Sequence, residues 1–513
     1  MAEYKVLITT SGLGSRLGEL TDYTNKALIR VADKPALSYI IESYPKDIEF
    51  VVTLGHFGDH VKQFLSLAYP DHKFTFIQID KYKGEGSSLG YSIYQAKDEL
   101  KCPFIFHASD TILTNYKHTA VDSNWIIGSY KEDTSQYRTI KLDGNTVVKI
   151  NEKGELGCNY SYVGVAGIHS YSDFFKYLGE LLEKGYEDIS DVHAINAMLL
   201  STPFTVNLIN NTDWYDTGNT TELNYTRKSF KSSIHVLDKK DESIFFFDDC
   251  VIKFFNDKKI NNNRVVRGIQ LGNLTPEIEA FTENFYRYKK AEGSLFSKSV
   301  NSSKFKHFLN WTYTNLWVSL EDEELENKCY DFYIEKTKKR IAQYLTTSVD
   351  KAEYINGELI PSLQEMLNSI DKEWLCRGIG SQFHGDFILD NIIEQEDSYT
   401  LIDWRQDFAG NLQVGDLYYD LAKLNHNLTV NHDIVSRGLL EHSRDNCYIL
   451  VNSKLSECKE VLHSFILEKG FDLKKVEVLT ALIWINMAPL HEYPFSTFLY
   501  NFGKYNLNKA LKL

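Results

Sequence analysis

Proline is scarce here: nine residues in a chain of 513, beside 32 tyrosines and 30 phenylalanines. That composition excludes a proline-rich or disordered architecture and points to compact folded structure. A basic surplus is also missing. Lys and Arg number 56 against 70 Asp and Glu, for a formal net charge of −14. Sequence-independent nucleic-acid binding needs a basic surface, so nucleic acid is not an expected partner. A local basic site for a nucleotide is not excluded. The seven cysteines, at 102, 158, 250, 329, 376, 447 and 458, form no C-x-x-C pair and are odd in number. They read as scattered reduced thiols of a cytosolic protein, not as a disulfide framework. No apolar run approaches the ~18–20 residues of a membrane span. The opening MAEYKVLITTSG lacks the basic and apolar regions of a secretory leader, so a cytoplasmic protein is expected. There is no internal repeat and no low-complexity segment, and nothing bears on oligomeric state.

What is present is an alternation. Short apolar runs at 5–8, 50–54, 74–79 and 103–108 read as strands. Amphipathic stretches at 36–44, 58–68 and 89–100 read as helices. This pattern predicts an α/β fold with a mostly parallel, Rossmann-like sheet and helices on both faces. Ligands of such sheets bind at the carboxyl ends of the strands. The polar stretch NYTRKSFKSS followed by LDKKDES, around 222–243, marks a boundary. Two domains are expected, 1–230 and 240–513. The second opens with a strand-rich piece at 244–255 and continues as a mainly helical region. Periods of 3.6 at 303–321 and 476–490 support helices there.

After the first strand comes TTSGLGSRLGELTDYTNKALIRVADKPAL. Gly12 and Gly14 allow close backbone approach to a ligand, and amides in such a loop can face phosphate oxygens. Arg16 and Lys26 bring two cations to the same loop, as the splitting of a triphosphate at its α-phosphorus requires. A plain turn and a dinucleotide-binding turn are the rivals. The spacing Gly12-x-Gly14-x-x-x-Gly18 departs from G-x-G-x-x-G, and no acidic residue ends the second strand, where Thr53-Leu54-Gly55 stands. The ordered set Gly12, Gly14, Arg16, Lys26 and Lys34-Pro35 resembles the sugar-nucleotidyltransferase family, which includes glucose-1-phosphate thymidylyltransferases and bacterial phosphocholine cytidylyltransferases. The resemblance implies that Asp110, in HASDTIL, and Asp216, in NNTDWYDTGNTTEL, hold a catalytic Mg2+. It also implies that Gly86, within GEGSSLG, helps cradle the nucleobase and that Lys153 meets the acceptor phosphate. The segment ISDVHAINAML, 189–199, resembles that family's helix before the second aspartate.

The sharpest motif is FHGDFILDNII, followed by LIDWRQDF. Asp-x-x-x-x-Asn and then a second Asp is a kinase layout. Asp386 would accept the proton of an attacking hydroxyl, while Asn391 and Asp403 carry metal on the nucleotide phosphates. H-G-D in place of H-R-D, and I-D-W in place of D-F-G, set it apart from protein kinases. With GDLYYDLAKL at 415–424, the motif resembles the aminoglycoside phosphotransferase and choline kinase family. That resemblance implies a bilobal, kinase-like α+β domain. It also implies a nucleotide role for Lys253 in CVIKFF and a hinge at 285–297. SIFFFDD supplies no glycine-rich loop. His384 reads as structural, and Asp416 and Asp420 as capping or network residues.

A kinase makes phosphate monoesters and a nucleotidyltransferase of this class consumes them. The expectation is a bifunctional enzyme using ATP and a second NTP (CTP, UTP or dTTP) on a small alcohol or sugar acceptor. Its product would be an NDP-activated sugar or polyol precursor for cell-surface glycans. The alternatives are a choline or amino-alcohol kinase joined to a cytidylyltransferase, and a kinase with a nucleotide-sensing N-terminal domain.

Overall fold

The computed structural model describes residues 4–155, 157–186, 188–232, 239–351, 353–396, 398–442 and 446–512. The chain divides into two compact units. The first comprises residues 1–258 and 279–288, and the second residues 259–278 and 289–513.

The first unit is built on a nine-stranded sheet. Its order is Lys73–Gln78, Glu49–Leu54, Lys5–Thr9, Phe104–Ala108, Tyr160–Ile168, Trp125–Tyr130, Thr205–Ile209, Thr146–Ile150 and Ile140–Asp143. The first four strands are mutually parallel, as the alternating pattern predicts. Beyond them the sheet is mixed. Tyr160–Ile168 runs antiparallel to both of its neighbours, and Ile140–Asp143 and Thr146–Ile150 form a hairpin around Gly144.

Side-chain alternation along the strands feeds two cores. Val6, Ile8, Phe50 and Val52 pack with Leu37, Ile40 and Ile41 of helix Ala36–Glu42 and with Val61, Phe64 and Leu65 of helix Gly58–Ala68. Leu7, Val51, Phe104 and Phe106 pack with residues of helices Leu89–Gln95, Tyr171–Glu183 and Asp191–Met198. Helices therefore cover both faces.

The strand-rich piece after residue 240 is a four-stranded sheet ordered Glu242–Phe246, Cys250–Phe255, Phe285–Lys289 and Ile278–Phe281. Here the compact units differ from the boundary expected at 230–240. Phe245, Phe247, Ile252, Phe254 and Phe285 join the same core as Phe64. Ring contacts of 5.3 Å between Phe64 and Phe245, and 4.9 Å between His60 and Phe254, hold them there.

The second unit is mainly helical. Helix Leu473–Met487 packs against helices Phe495–Lys512 and Leu417–Asn427. Every residue of Leu417–Asn427 is buried, its polar ones included. The expected helices at 303–321 and 476–490 are found as Ser302–Asn315 and Leu473–Met487.

Candidate active sites

Residues in the loop after the first strand are set by local geometry. Gly14 has φ 69°, and a Cβ there would lie 2.9 Å from Cβ of Lys26. Glycine thus lets the loop close onto the lysine. Asn25 caps the turn Lys26–Leu28 and donates to the carbonyls of Thr10 and His56, at 2.8 and 2.6 Å. Lys26 Nζ reaches Asp110 Oδ2 at 2.9 Å.

The second aspartate arrives on a short ribbon. Trp214–Asp216 pairs antiparallel with Thr111–Leu113, and Asp216 faces Thr111, the residue after Asp110. The Thr217 amide donates to the Asp110 carbonyl at 2.8 Å. The Gly218 amide donates to Asp216 Oδ1 at 2.7 Å. A Cβ on Gly218 would stand 3.0 Å from Asp216 Oδ1, 3.1 Å from Asp110 Oδ2 and 3.3 Å from Arg16 Nη2. Arg16, Lys26, Asp110 and Asp216 therefore converge on one point.

Electrostatics follow from that geometry. Burial pushes the Asp110 carboxyl up, but Lys26 and then Arg16 outweigh it and hold it below the usual range. Burial and the charge of Asp110 raise Asp216 to about 6. Lys153 is exposed as a residue, but partial burial of its ammonium, with Arg16 and Arg138, lowers it, while Asp216 and Asp110 act the other way. It shares the site's field.

Gly86 is placed differently. It lies on an exposed turn with φ 77°, and a Cβ there would meet Lys81 alone. Gly12 has open space around it. Helix Asp191–Met198 opens with Ser190 and His193 in a reciprocal cap, and buried Asp191 accepts from Tyr162 at 2.7 Å. Sequence reasoning missed Lys131, Tyr137 and Glu222. Lys131 Nζ donates to the Tyr137 hydroxyl at 3.0 Å, lies 4.5 Å from the Trp214 ring centre and 3.8 Å from Glu222. Asp216 and Glu222 both act on Tyr137. Only the proximity of Glu222 to the W-x-D-x-G segment could have signalled them.

In the second unit, residues 384–391 and 402–405 interlock. The Ile402 amide donates to the Asn391 carbonyl and the Arg405 amide to the His384 carbonyl, each at 2.9 Å. Asp386 Oδ1 is paired to Lys423 Nζ at 2.8 Å, and Asn391 Nδ2 lies 3.5 Å from Asp386 Oδ2. Asp403, between these segments, sits at φ 57°, a left-handed conformation uncommon outside glycine and one that clusters at functional sites. Burial raises the Asp386 carboxyl, but Lys423, His384 and Arg405 outweigh it and hold it well below the carboxylate range.

A buried frame fixes this loop. Both oxygens of Asp420 accept, from the amides of His384 at 2.8 Å and Gly385 at 2.7 Å, with Trp317 Nε1 at 3.2 Å. Arg267 donates to the carbonyls of Phe383, His384, Arg405 and Leu412, and its guanidinium lies 3.8 Å from the Phe383 ring centre. His384 Nε2 meets the Ile402 carbonyl at 2.9 Å, and burial lowers the ring to about 3, so it stays neutral and structural as expected. Asp416 caps helix Leu417–Asn427 and accepts from Tyr333 at 2.7 Å, again a frame residue. Lys423 and Arg267 were not singled out from the sequence, although Lys423 lies within GDLYYDLAKL. Lys253 is buried on strand Cys250–Phe255, in the first unit.

No protein-family model matches the chain. A choline-phosphate cytidylyltransferase from Streptococcus pneumoniae is 28% identical over 131 residues, covering 25% of this chain and 55% of the relative. The bifunctional protein GlmU of Methanococcus vannielii is 27% identical over 194 residues, covering 36% and 45%. A bifunctional sugar-1-phosphate nucleotidylyltransferase/acetyltransferase of Sulfurisphaera tokodaii is 28% identical over 206 residues, covering 38% and 47%. The chain thus spans about half the length of the curated relatives it matches. A solved structure of CTP:phosphocholine cytidylyltransferase from Streptococcus pneumoniae aligns at 20% identity and a TM-score of 0.38, over 44% of this chain and 98% of that one. The curated relatives support a nucleotidyltransferase likeness for the N-terminal part.

Proposed function

We propose that the chain is a bifunctional enzyme: an ATP-dependent phosphotransferase on a small hydroxyl compound and a nucleotidyltransferase that uses the resulting phosphate monoester. The gathering of Arg16, Lys26, Asp110 and Asp216 around Gly218, in a chain similar to nucleotidyltransferases, carries the reading. In the transferase step a monoester oxygen attacks the α-phosphorus of CTP, UTP or dTTP. The bond to the β-phosphate oxygen breaks and pyrophosphate leaves. The nucleophile is already anionic, so no general base is needed. Arg16 and Lys26 offset charge on the leaving pyrophosphate, and Lys153 meets the acceptor phosphate.

In the kinase step an acceptor hydroxyl attacks the γ-phosphorus of ATP, its proton passes to Asp386, and ADP leaves. Magnesium takes one or two carboxylates together with phosphate oxygens and water. The two carboxylates of Asp110 and Asp216, and Asn391 with Asp403, fit that donor set. When bound, the ion neutralises charge on the phosphate oxygens. Among the described residues no helix is long and apolar enough to cross a membrane. A cytoplasmic location, where nucleoside triphosphates are made, goes with this reading. So does a role in supplying an NDP-activated sugar or polyol for cell-surface glycans.

The test is to incubate the full chain with ATP, Mg2+, each of CTP, UTP and dTTP, and a panel of sugars, polyols and amino alcohols, and to measure products by mass spectrometry. An NDP-linked product is expected. Its absence, with both half-reactions dead, overturns the proposal. The similarity to a choline-phosphate cytidylyltransferase favours a second reading, choline or another amino alcohol with CTP. A phosphorylated acceptor without pyrophosphate release would instead indicate a nucleotide-sensing N-terminal domain.

A further inference from the structure

Four cations, Lys423, Arg405, Lys336 and Arg340, form a linked run that starts at Asp386 in the second unit, and the phosphotransfer scheme above uses none of them. Lys423 is paired to Asp386 Oδ1. Arg405 packs against the preceding residue: a Cβ on Gly385, whose φ is 83°, would lie 2.7 Å from Arg405 Cβ. The Phe332 ring joins Arg405 to a third cation, with the Arg405 guanidinium 4.8 Å and Lys336 Nζ 4.0 Å from its centre. Arg340 follows Lys336 by four residues on helix Lys336–Tyr344, so the two share a face.

That helix is entered through a wide π-type turn, Asp331–Glu335, which carries Phe332. Such turns occur often at functional sites. Among the described residues Lys336, Arg340 and Arg405 make no ion pair. Burial, then Arg405, Arg340 and Lys423, push the Lys336 ammonium well down, and Asp386 is the anion acting against them. Burial and Arg405 lower Arg340 as well. Mutually repelling, half-buried cations are costly unless an anion joins them.

The side of the carboxylate matters. Asp386 Oδ2 faces Asn391, assigned above to the nucleotide's metal, whereas Oδ1 faces Lys423. Lys423 therefore meets Asp386 on the oxygen opposite the one nearest Asn391.

We propose that the hydroxyl compound phosphorylated at Asp386 carries a fixed negative charge, a carboxylate or a phosphate, bound by Lys336, Arg340 and Arg405. This rests on the kinase reading of the site. It narrows the acceptor from alcohols in general to hydroxy acids or alcohol phosphates, and it sets amino alcohols apart. Lys423 stays with the carboxylate of Asp386.

The experiment measures ATP consumption by the full chain with matched acceptors: glycerol, glycerate, glycerol phosphate, ethanolamine and choline. A sugar is tested beside its sugar acid and sugar phosphate. Charge-assisted contacts are worth about tenfold or more in binding. At least one anionic member should therefore exceed its neutral partner in kcat/KM by about tenfold or more. The carboxylate and phosphate arms tell the two sources apart. Lys336→Met and Arg340→Met should raise KM for that acceptor more than KM for ATP. Preference for a neutral or cationic acceptor overturns the inference and leaves the kinase intact. So does a rise confined to KM for ATP, which would assign the cations to the nucleotide. No ATP consumption with any acceptor, and no shift in melting temperature with ATP, overturns the kinase reading itself and this inference with it. The unmutated chain decides the acceptor question even if a variant folds poorly.

Discussion

Each candidate site sets one aspartate against one lysine, Asp110 with Lys26 and Asp386 with Lys423. Removing either carboxylate frees a cation and empties the middle of its candidate site. Asp386→Ala should lower phosphorylation of the acceptor by ~10²–10⁴-fold while pyrophosphate release from a supplied phosphate monoester continues. Asp110→Ala should do the reverse. Separate assays of the two half-reactions check this, and two variants that each kept both activities would void the assignments. Asp420 offers a second test. Both its oxygens accept backbone amides, so Asp420→Asn turns an N–H toward an N–H. The expected loss is ~1–3 kcal/mol, read as a lower denaturant midpoint for the second unit. At this scale the motif residues were legible because their spacing is tied to chain order. Lys423 and Arg267 were not, because each meets the site through a tertiary approach that no spacing encodes.

Among the elements, the ribbon Trp214–Asp216 with Thr111–Leu113 does the work of assembly. Its register places Asp216 beside the residue after Asp110, more than a hundred positions away in the chain. Gly218 closes that corner. Gly218→Ala should press on both carboxylates and on Arg16, lowering the transferase rate by about tenfold or more and sparing phosphorylation. Parallel kinetics of the two reactions would show it, and equal loss in both would contradict it. The first four strands of the sheet were legible from alternating apolar runs and helices. The mixed remainder was not, since strand direction depends on connections that periodicity does not report. The ribbon's three-residue strands fall below what any pattern reveals.

Taken as a whole, the molecule holds buried, neutral histidines in both units, among them His384 in the second and His60 and His107 in the first. Burial lowers His60 to about 4 and His107 to about 4; His107 is held between the Tyr44 hydroxyl at 2.8 Å and the Thr111 carbonyl at 2.9 Å. Unfolded, these rings take up protons below about 6.5. Between roughly pH 6.5 and 4 the unfolded chain therefore binds more protons than the folded one, and stability falls on acidification. Each ring should contribute about 1.4 kcal/mol per pH unit across that window. Denaturant melts of the first unit from pH 7.5 to 4.5 measure the slope, and His107→Gln should make it shallower. The two-unit division was legible as a change of composition. Its course was not, because the phenylalanines of 244–255 fit any apolar core, and nothing local says which one.

The chain passes from one unit to the other at 258, returns at 279 and leaves again at 289. Phe245, Phe254 and Phe285, all beyond residue 240, fill the core around Phe64. A gene cut at codon 230, where the sequence alone would divide the chain, would leave the first half with an uncovered phenylalanine-lined face. It would burden the second half with strands that belong elsewhere. Two genes so made should yield an aggregating N-terminal product, so the fusion is not a pair of interchangeable cassettes. The two units would have to be inherited, expressed and degraded in fixed one-to-one ratio.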